Sequence, residues 1–279
     1  MGAVVRRCAS VLARPHDALR LRSGRYGGDV DGHESDVELA TRLAVQAGEL
    51  LVQLRVDAGA DPDPWELGDA GDARANVFLL EQLRALRPGD YVLSEEAADP
   101  VERLEADRVW IIDPLDGTRE YRVGRHDWAV HVALWERQQG LTAAAVSLPA
   151  LNEIRSTDAP MAIASRHGGP VVLVSRSRRP WEADLVAAAL NGVVDMLGSA
   201  GAKAMAVVSG RADVYLAPGG LWEWDAAAPA AVARAAGLDV SNGLGEPLPW
   251  NREVPWVDGL VICRPQYTET VFEALAAAR

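Results

Sequence analysis

A two-lobed α/β fold, an α+β amino-terminal lobe followed by an α/β carboxy-terminal lobe, is predicted by three observations. Two long segments before residue 87 carry apolar residues at helical spacing, and strand-like apolar runs follow between residues 91 and 148. After residue 171 strand-like and helix-like segments alternate, which is the pattern of an α/β unit.

Ser35-x-x-Glu38 is a capping box, and Val37, Ala40, Leu43, Ala44, Ala47, Leu50, Leu51 and Leu54 continue a helical stripe through Arg55. A second helix is expected over Ala73 to Leu86, stopped by Pro88-Gly89. Strands are expected at Tyr91 to Leu93, Val109 to Ile112, Trp128 to Trp135 and Leu141 to Leu148, with a turn at Gln138-Gln139-Gly140. Met161 to Pro170 reads as a connection. Beyond it come strand Val171 to Val174, helix Pro180 to Leu190, a short strand near Val194, helix Gly201 to Ser209, strand Asp213 to Leu216, helix Asp225 to Ala236, strand Leu260 to Cys263 and helix Tyr267 to Ala278.

Composition narrows the function. With 279 residues, 49% of them hydrophobic, the chain can bury a large core. No apolar run approaches the roughly 18 residues that span a bilayer, so no membrane partner is expected. A net charge of -12 argues against nucleic-acid polymers, whose phosphates need basic surface. A small phosphate ester remains compatible if cations first neutralise an acidic site. The two cysteines, Cys8 and Cys263, make a disulfide framework improbable and point to a reducing cytoplasm. Met1 to Arg25 is Arg-rich, with Arg6-Arg7, but Val11-Leu12-Ala13 is too short for a signal-peptide core; residues 1–34 are expected to be a disordered extension.

The apolar run Val109-Trp110-Ile111-Ile112 ends in Asp113-Pro114-Leu115-Asp116-Gly117-Thr118-Arg119-Glu120. Pro114 fixes its own φ and biases Asp113 toward extended backbone. Asp113, the Leu115 carbonyl and Asp116 could then face one side. Three oxygens without Cys or His suit Mg²⁺ rather than Zn²⁺. If a helix starts at Gly117 and Thr118, their N–H groups offer a phosphate seat. The plain alternative is that Asp-Pro and Asp-Gly are ordinary turn formers. Three further acidic segments stand elsewhere: Asp69 to Asp72, Ser94-Glu95-Glu96 and Trp222-Glu223-Trp224-Asp225. Singly, Asp72 and Asp225 read as helix N-caps and Glu95-Glu96 as a solvated strand end.

Together these segments resemble the inositol monophosphatase superfamily of Mg²⁺-dependent, lithium-sensitive phosphatases, from about Val37 to the end. The marks are Glu-Glu after a strand, Asp-Pro-Leu-Asp-Gly-Thr, and Trp-Asp-x-Ala-Ala. Arg119-Glu120-Tyr121 and Ser175-Arg176-Ser177 resemble the 3′(2′),5′-bisphosphate nucleotidase branch, whose bacterial members act on 3′-phosphoadenosine 5′-phosphate in sulfate assimilation. Departures are Asp61 to Leu67 in place of a Lys-x-Asp-Gly-Ser-Pro segment, Asp69 for Thr, and Arg178 for His. The stretch Gly198 to Lys203 is spaced more like an inositol phosphatase.

The resemblance implies a layered αβαβα sugar-phosphatase-like fold, with residues 35–160 carrying most metal ligands and 161–279 completing the site. It implies two or three Mg²⁺ held by Glu95, Asp113, the Leu115 carbonyl, Asp116 and Asp225, and inhibition by Li⁺. Asp72 and Thr118 would orient and deprotonate the attacking water; Asp116, Gly117 and Thr118 would seat the phosphate. Arg178, Ser199, Lys203 and Asp225 are candidate substrate contacts. Lys203, the only lysine among 28 basic residues, is either such a contact or a surface helix residue. His33, His126, His131 and His167 lack ligand spacing and read as structural or surface. Trp128 and Trp135 read as sheet core, while Trp222 or Trp224 could approach an adenine. Competing readings are an inositol monophosphatase or fructose 1,6-bisphosphatase of the same superfamily, a catalytically silent metal-binding module, and an Ala-rich protein whose acids are only caps and turns. A homodimer is left open.

Overall fold

The structure is a computed structural model that describes residues 34–159 and 168–279. The expectations for residues 1–33, including Cys8 and His33, and for 161–167, including His167, lie outside the described residues.

Helix α1 (Asp36–Asp57) starts at the expected capping box, with Ser35 and Glu38 bonding reciprocally. Helix α2 (Pro64–Leu86) starts well before Ala73. Asp63 caps it by accepting from the Trp65 and Glu66 amides, and Pro64 occupies the first turn, where its missing N–H costs nothing. Gly68 and Gly71 lie buried inside the helix and serve close packing. A Cβ on Gly71 would lie 3.0 Å from Leu115 Cδ2 and 3.1 Å from Tyr121 Cε1.

The first sheet comprises β1 (Tyr91–Ser94), β2 (Arg108–Asp116), β3 (Ala129–Glu136), β4 (Gly140–Leu148) and β5 (Glu153–Ser156), in that order. β1 is parallel to β2; the other pairs are antiparallel. Both faces are buried, which is why its strands read as continuous apolar runs. Trp110, Ile112, Val130, Val132 and Leu134 pack with α1 and α2, while Val109, Ile111, Ala129, Ala133 and Val146 face the opposite core.

The short helix α3 (Thr118–Arg122) follows β2. After β5 come β6 (Val171–Ser175), α4 (Glu182–Ala189), β7 (Val193–Leu197), α5 (Ala200–Val208), β8 (Val214–Ala217), β9 (Leu221–Trp222), α6 (Glu223–Ala235), β10 (Asp239–Ser241), β11 (Trp256–Val257), β12 (Leu260–Cys263) and α7 (Thr268–Ala277). The second sheet has the order β10-β12-β8-β6-β7, and β9 and β11 form a small ribbon. Its inner face shares a core with α5, α6 and the first sheet. Its outer face packs on α4 and α7. Five layers result: α1/α2, sheet, α5/α6, sheet, α4/α7.

The middle layer is tight. Helix α5 crosses β3 through Gly201, where a Cβ would lie 2.3 Å from His131 Nε2 and 2.8 Å from the Ala129 Cβ. Gly→Ala within a helix ordinarily stabilises by about 1 kcal/mol, but overpacking a rigid core costs about 1–3 kcal/mol. Gly201→Ala should therefore lower stability in chemical denaturation despite its better helix propensity; an unchanged or raised midpoint would contradict this packing.

Candidate metal and phosphate site

β2 does not end at Ile112 as the apolar run suggests. It continues to Asp116 through a one-residue bulge, with Asp113 opposite His131 and Asp116 opposite Ala129. Bulges re-aim side chains. Here the carboxylates of Asp113 and Asp116 converge with that of Asp225, offering ligand oxygens within 4.8 Å of one another. Asp225 is not an N-cap: it lies in the first turn of α6, and its Oδ2 accepts from the Trp222 amide at 3.2 Å.

The two aspartates of β2 are held very differently. Asp113 is fully buried; its Oδ1 accepts from the Leu115 amide at 3.0 Å, and its Oδ2 has no partner. Burial, then the charges of Glu95, Asp116 and Asp225, push its carboxyl well above the usual range. Asp116 accepts from the Ala200 amide at 3.1 Å and the Gly201 amide at 2.7 Å, and its Oδ2 stands 3.1 Å from His131 Nε2. Burial alone would raise this carboxyl, but His131, Lys203 and the Gly201 amide hold it below the usual value.

Asp225 is pushed up to about 6 by burial and by Asp116. Glu95 stands outside the triplet, in the turn after β1, where part of its side chain meets solvent while its carboxyl feels the charges of Asp225, Asp116 and Asp72. Desolvation, then Asp225 and Glu96, push it up to about 8. The donors are all oxygen, Asp113 Oδ2 is an unpartnered buried acceptor, and the carboxyls resist ionising together. That set fits a hard divalent cation and not zinc. Asp113, Asp116 and Asp225 are the groups the structure brings together that could hold it.

Asp72 is not an N-cap either, since it lies inside α2. Thr118 Oγ1 is 3.2 Å from both Asp72 Oδ1 and the Leu115 carbonyl. Burial and Glu96 push Asp72 up to about 7. Gly117 precedes α3 at φ 92°, a left-handed conformation that favours glycine, and a Cβ there would lie 3.0 Å from the Ser199 Cβ.

A cavity of about 460 Å³ opens beside the triplet. Asp116, Gly117, Ser199, Lys203, Asp225 and Arg178 contribute to its wall. Ser199 caps α5, accepting from the Ala202 amide at 2.9 Å. Lys203 is buried rather than on the surface. Its ammonium donates to the Gly198 carbonyl and, at 2.6 Å, to the Ser199 carbonyl. Burial pulls it down to about 8.

Sequence spacing missed one member of the site. His131 is fully buried, not peripheral, and its Nδ1 is 3.0 Å from the Trp224 carbonyl. Alternation along β3 was the available signal, because it puts His131 on the inner face with Ala129 and Ala133. Both ring nitrogens face acceptors. Burial would lower its pKa, yet the Asp116 carboxylate raises it. His126 plays no part in these contacts.

The two marks of the nucleotidase branch form one interaction. Arg176, from Ser175-Arg176-Ser177, pairs with Glu120 at 3.2 Å and with Asp127 at 2.8 Å. Asp127 in turn accepts from the Gly198 amide at 2.7 Å. Together with Arg125 and Arg176, that amide holds the Asp127 carboxyl down at about 2 against the effect of burial.

A profile of the inositol monophosphatase family matches residues 34–279. The 3′-phosphoadenosine 5′-phosphate phosphatase of Mycobacterium bovis is 49% identical over 241 residues, 83% of this chain and 90% of that protein. The 3′(2′),5′-bisphosphate nucleotidase CysQ of Escherichia coli is 30% identical over 233 residues, 74% and 90% of the two chains. Among solved structures, CysQ from Bacteroides thetaiotaomicron, described as a bacterial member of the inositol monophosphatase family, superposes with a TM-score of 0.67 at 25% identity, covering 81% of this chain and 96% of its own.

A carboxyl whose pKa is higher folded than unfolded binds its proton more tightly when folded, so stability falls as pH rises between the two values. The window runs from 4.5 to about 8 for Glu95 and from 3.8 to about 7 for Asp72. Metal-free protein should therefore lose thermal stability from about pH 5 to about pH 8. Mg²⁺ should raise the melting temperature more at the upper end of that range and release protons on binding. A melting temperature indifferent to pH without Mg²⁺ would show that the carboxyls are not held in this way.

Proposed function

The chain belongs to the inositol monophosphatase family, and from that premise we propose that it hydrolyses the 3′-phosphate of 3′-phosphoadenosine 5′-phosphate to give AMP and phosphate. The observation that carries this reading is a triplet of converging carboxylates, with an unpartnered buried oxygen on Asp113, beside a cavity whose wall includes Arg178, Arg179 and Lys203. Enzymes of this family use Mg²⁺, and the oxygen-only donor set suits it.

When bound by these carboxylates, Mg²⁺, expected as two or three ions, would supply Lewis acidity for attack by water. Asp72 aligns the Thr118 hydroxyl, and together they orient a water for in-line attack and take its proton. The N–H groups of Gly117, just before α3, and of Thr118, its first residue, have no partner within that helix and would donate to a phosphoryl oxygen as it gathers charge. The new P–O bond comes from water, the P–O3′ bond breaks, and the 3′-oxygen leaves as the ribose hydroxyl after gaining a proton. No phosphoenzyme is required.

Recognition of the second phosphate falls to Arg178. Three cationic side chains line the cavity. Arg179 is paired with Asp184 at 2.5 Å and Lys203 is bound to carbonyls, whereas Arg178 has no side-chain ion pair among the described residues. Lys203 then acts on the substrate mainly through the turn it holds. No helix among the described residues is long and apolar enough to cross a membrane, and the buried, unpaired Cys263 suits a reducing cytoplasm. Li⁺ is expected to inhibit.

The decisive experiment compares kcat/KM on 3′-phosphoadenosine 5′-phosphate, inositol 1-phosphate and fructose 1,6-bisphosphate. A preference for the nucleotide supports the reading, and a preference for inositol 1-phosphate, in keeping with the spacing of Gly198 to Lys203, replaces it.

Asp113→Asn should abolish turnover while raising the stability of metal-free protein, because it removes a fully buried carboxyl that resists ionising. Retained activity would remove Asp113 from the site. Arg178→Ala should raise KM for the bisphosphate by roughly 10-fold or more, the loss of one charge-assisted contact, with little change for a monophosphate; equal effects on both would exclude Arg178 from specificity.

A further inference from the structure

Two ligand-bearing segments, the Glu95 turn and the start of α6, come from sequence positions far apart, and a buried polar network joins them. Four residues after Glu95, Asp99 forms a two-pronged ion pair with Arg103: Nε to Oδ1 at 2.5 Å and Nη2 to Oδ2 at 2.7 Å. Arg103 lies in the short 3₁₀ turn Val101–Glu105 and is only 1% exposed. Its Nη1 donates to Asn251 Oδ1 at 2.7 Å, and Asn251 Nδ2 donates back to the Arg103 carbonyl at 3.0 Å. Nη2 also reaches the Arg252 carbonyl at 2.9 Å.

The network continues into α6. The Asn251 and Arg252 amides donate to Glu223 Oε2 and Oε1 at 2.7 and 2.9 Å. Glu223 is fully buried and stands two residues before Asp225. Asn251 has φ 57°, a left-handed conformation that asparagine tolerates better than most residues. The other side of the Glu95 turn is also pinned: Asn76, one turn beyond Asp72 on α2, accepts from Ser94 Oγ at 2.8 Å and donates to the Glu96 carbonyl at 3.0 Å.

We propose that Arg103, Asn251 and Glu223 are positioning residues that set the distance between Glu95 and Asp225 and so tune the affinity of the site for Mg²⁺. The proposal rests on the reading of those two acids as ligands. None of the three bridge residues belongs to the carboxylate triplet or lines the cavity. Buried ion pairs are poor contributors to net stability compared with packed apolar groups, and their better use is to specify one geometry. Here the specified geometry joins one ligand that stands outside the triplet to one inside it. Supporting residues of this kind typically change metal affinity by 10-fold or more.

The test is a Mg²⁺ titration of tryptophan fluorescence without substrate, alongside thermal unfolding, for wild type, Asn251→Gly, Asp99→Asn and Asp113→Asn. Asn251→Gly keeps the left-handed backbone and removes the side-chain link. Asp99→Asn weakens the link at a partly exposed acid and serves if the first variant fails to fold. Each bridge variant should weaken Mg²⁺ binding by about 10-fold, with kcat recovering at saturating Mg²⁺. Lower melting temperatures with unchanged Mg²⁺ affinity would overturn the proposal and leave the bridge a strap for the loop. Retention of Mg²⁺ affinity by Asp113→Asn would instead sink the metal-site reading itself.

Discussion

Buried carboxyls crowded into one pocket cannot all be ionised there without a cation, and the rest of the site is arranged around that constraint. The protein resolves it for one of them and leaves it open for the others. Asp116 is met by two amides of α5, by His131 and by the nearby charge of Lys203, so it stays an anion in the dry interior. Asp113, three residues away, receives one amide and nothing on its second oxygen. One aspartate is thus compensated by the fold, and the other is compensated only by what binds. With this division, a chain of net charge -12 could take an anionic substrate if a cation bound at Asp113 first offset the acidic charge of the site.

Compensating Asp116 requires α5 to approach β2 and β3 closely, and that closeness dictates small residues. Gly201 clears His131, while Gly117 clears Ser199 and supplies a backbone conformation unfavourable to other residues. Helix α6, which delivers Asp225, is buried between the two sheets along Ala226, Ala227, Ala228, Ala230, Ala231 and Ala233. A helix enclosed on all sides has no polar face to show, and alanine lets both sheets come near it. The Ala-rich composition of this half is therefore a packing requirement of the middle layer.

Local chemistry explains what could be read from the chain and what could not. The capping box at Ser35, strands β1 to β4 of the first sheet and the strand-helix alternation after Val171 were legible because each signal lies within a few residues. The start of α2 was not, since Gly68 and Gly71 have low helix propensity and the side chains packed against them, Leu115, Tyr121 and Arg122, are distant in sequence. Short strands such as β5, β9, β10 and β11 depend on partners distant in sequence and leave little periodic trace. Of the site, the acids were legible by type and motif. The β-bulge between Asp113 and Asp116, the first-turn position of Asp225 and the inward His131 are set by pairing with β3 and α6, which no local pattern reveals.

The marks that distinguish the nucleotidase branch gain a physical meaning from their pairing. Glu120 lines the cavity and by itself would repel an anionic substrate. Arg176 removes that repulsion and, through Asp127, ties the same carboxylate to the Gly198 amide at the entrance to α5. A change at Glu120 would leave Arg176 with surplus charge beside Asp127, and a change at Arg176 would leave Glu120 on the cavity wall without its ion pair. Neither side chain can be exchanged alone without altering the field at the substrate wall, so the two motifs behave as one unit although 56 positions separate Glu120 from Arg176. The motif that reads as substrate recognition is thus first a neutralised support, and it leaves Arg178 as the cavity-lining cation with neither an ion pair nor a side-chain hydrogen bond among the described residues.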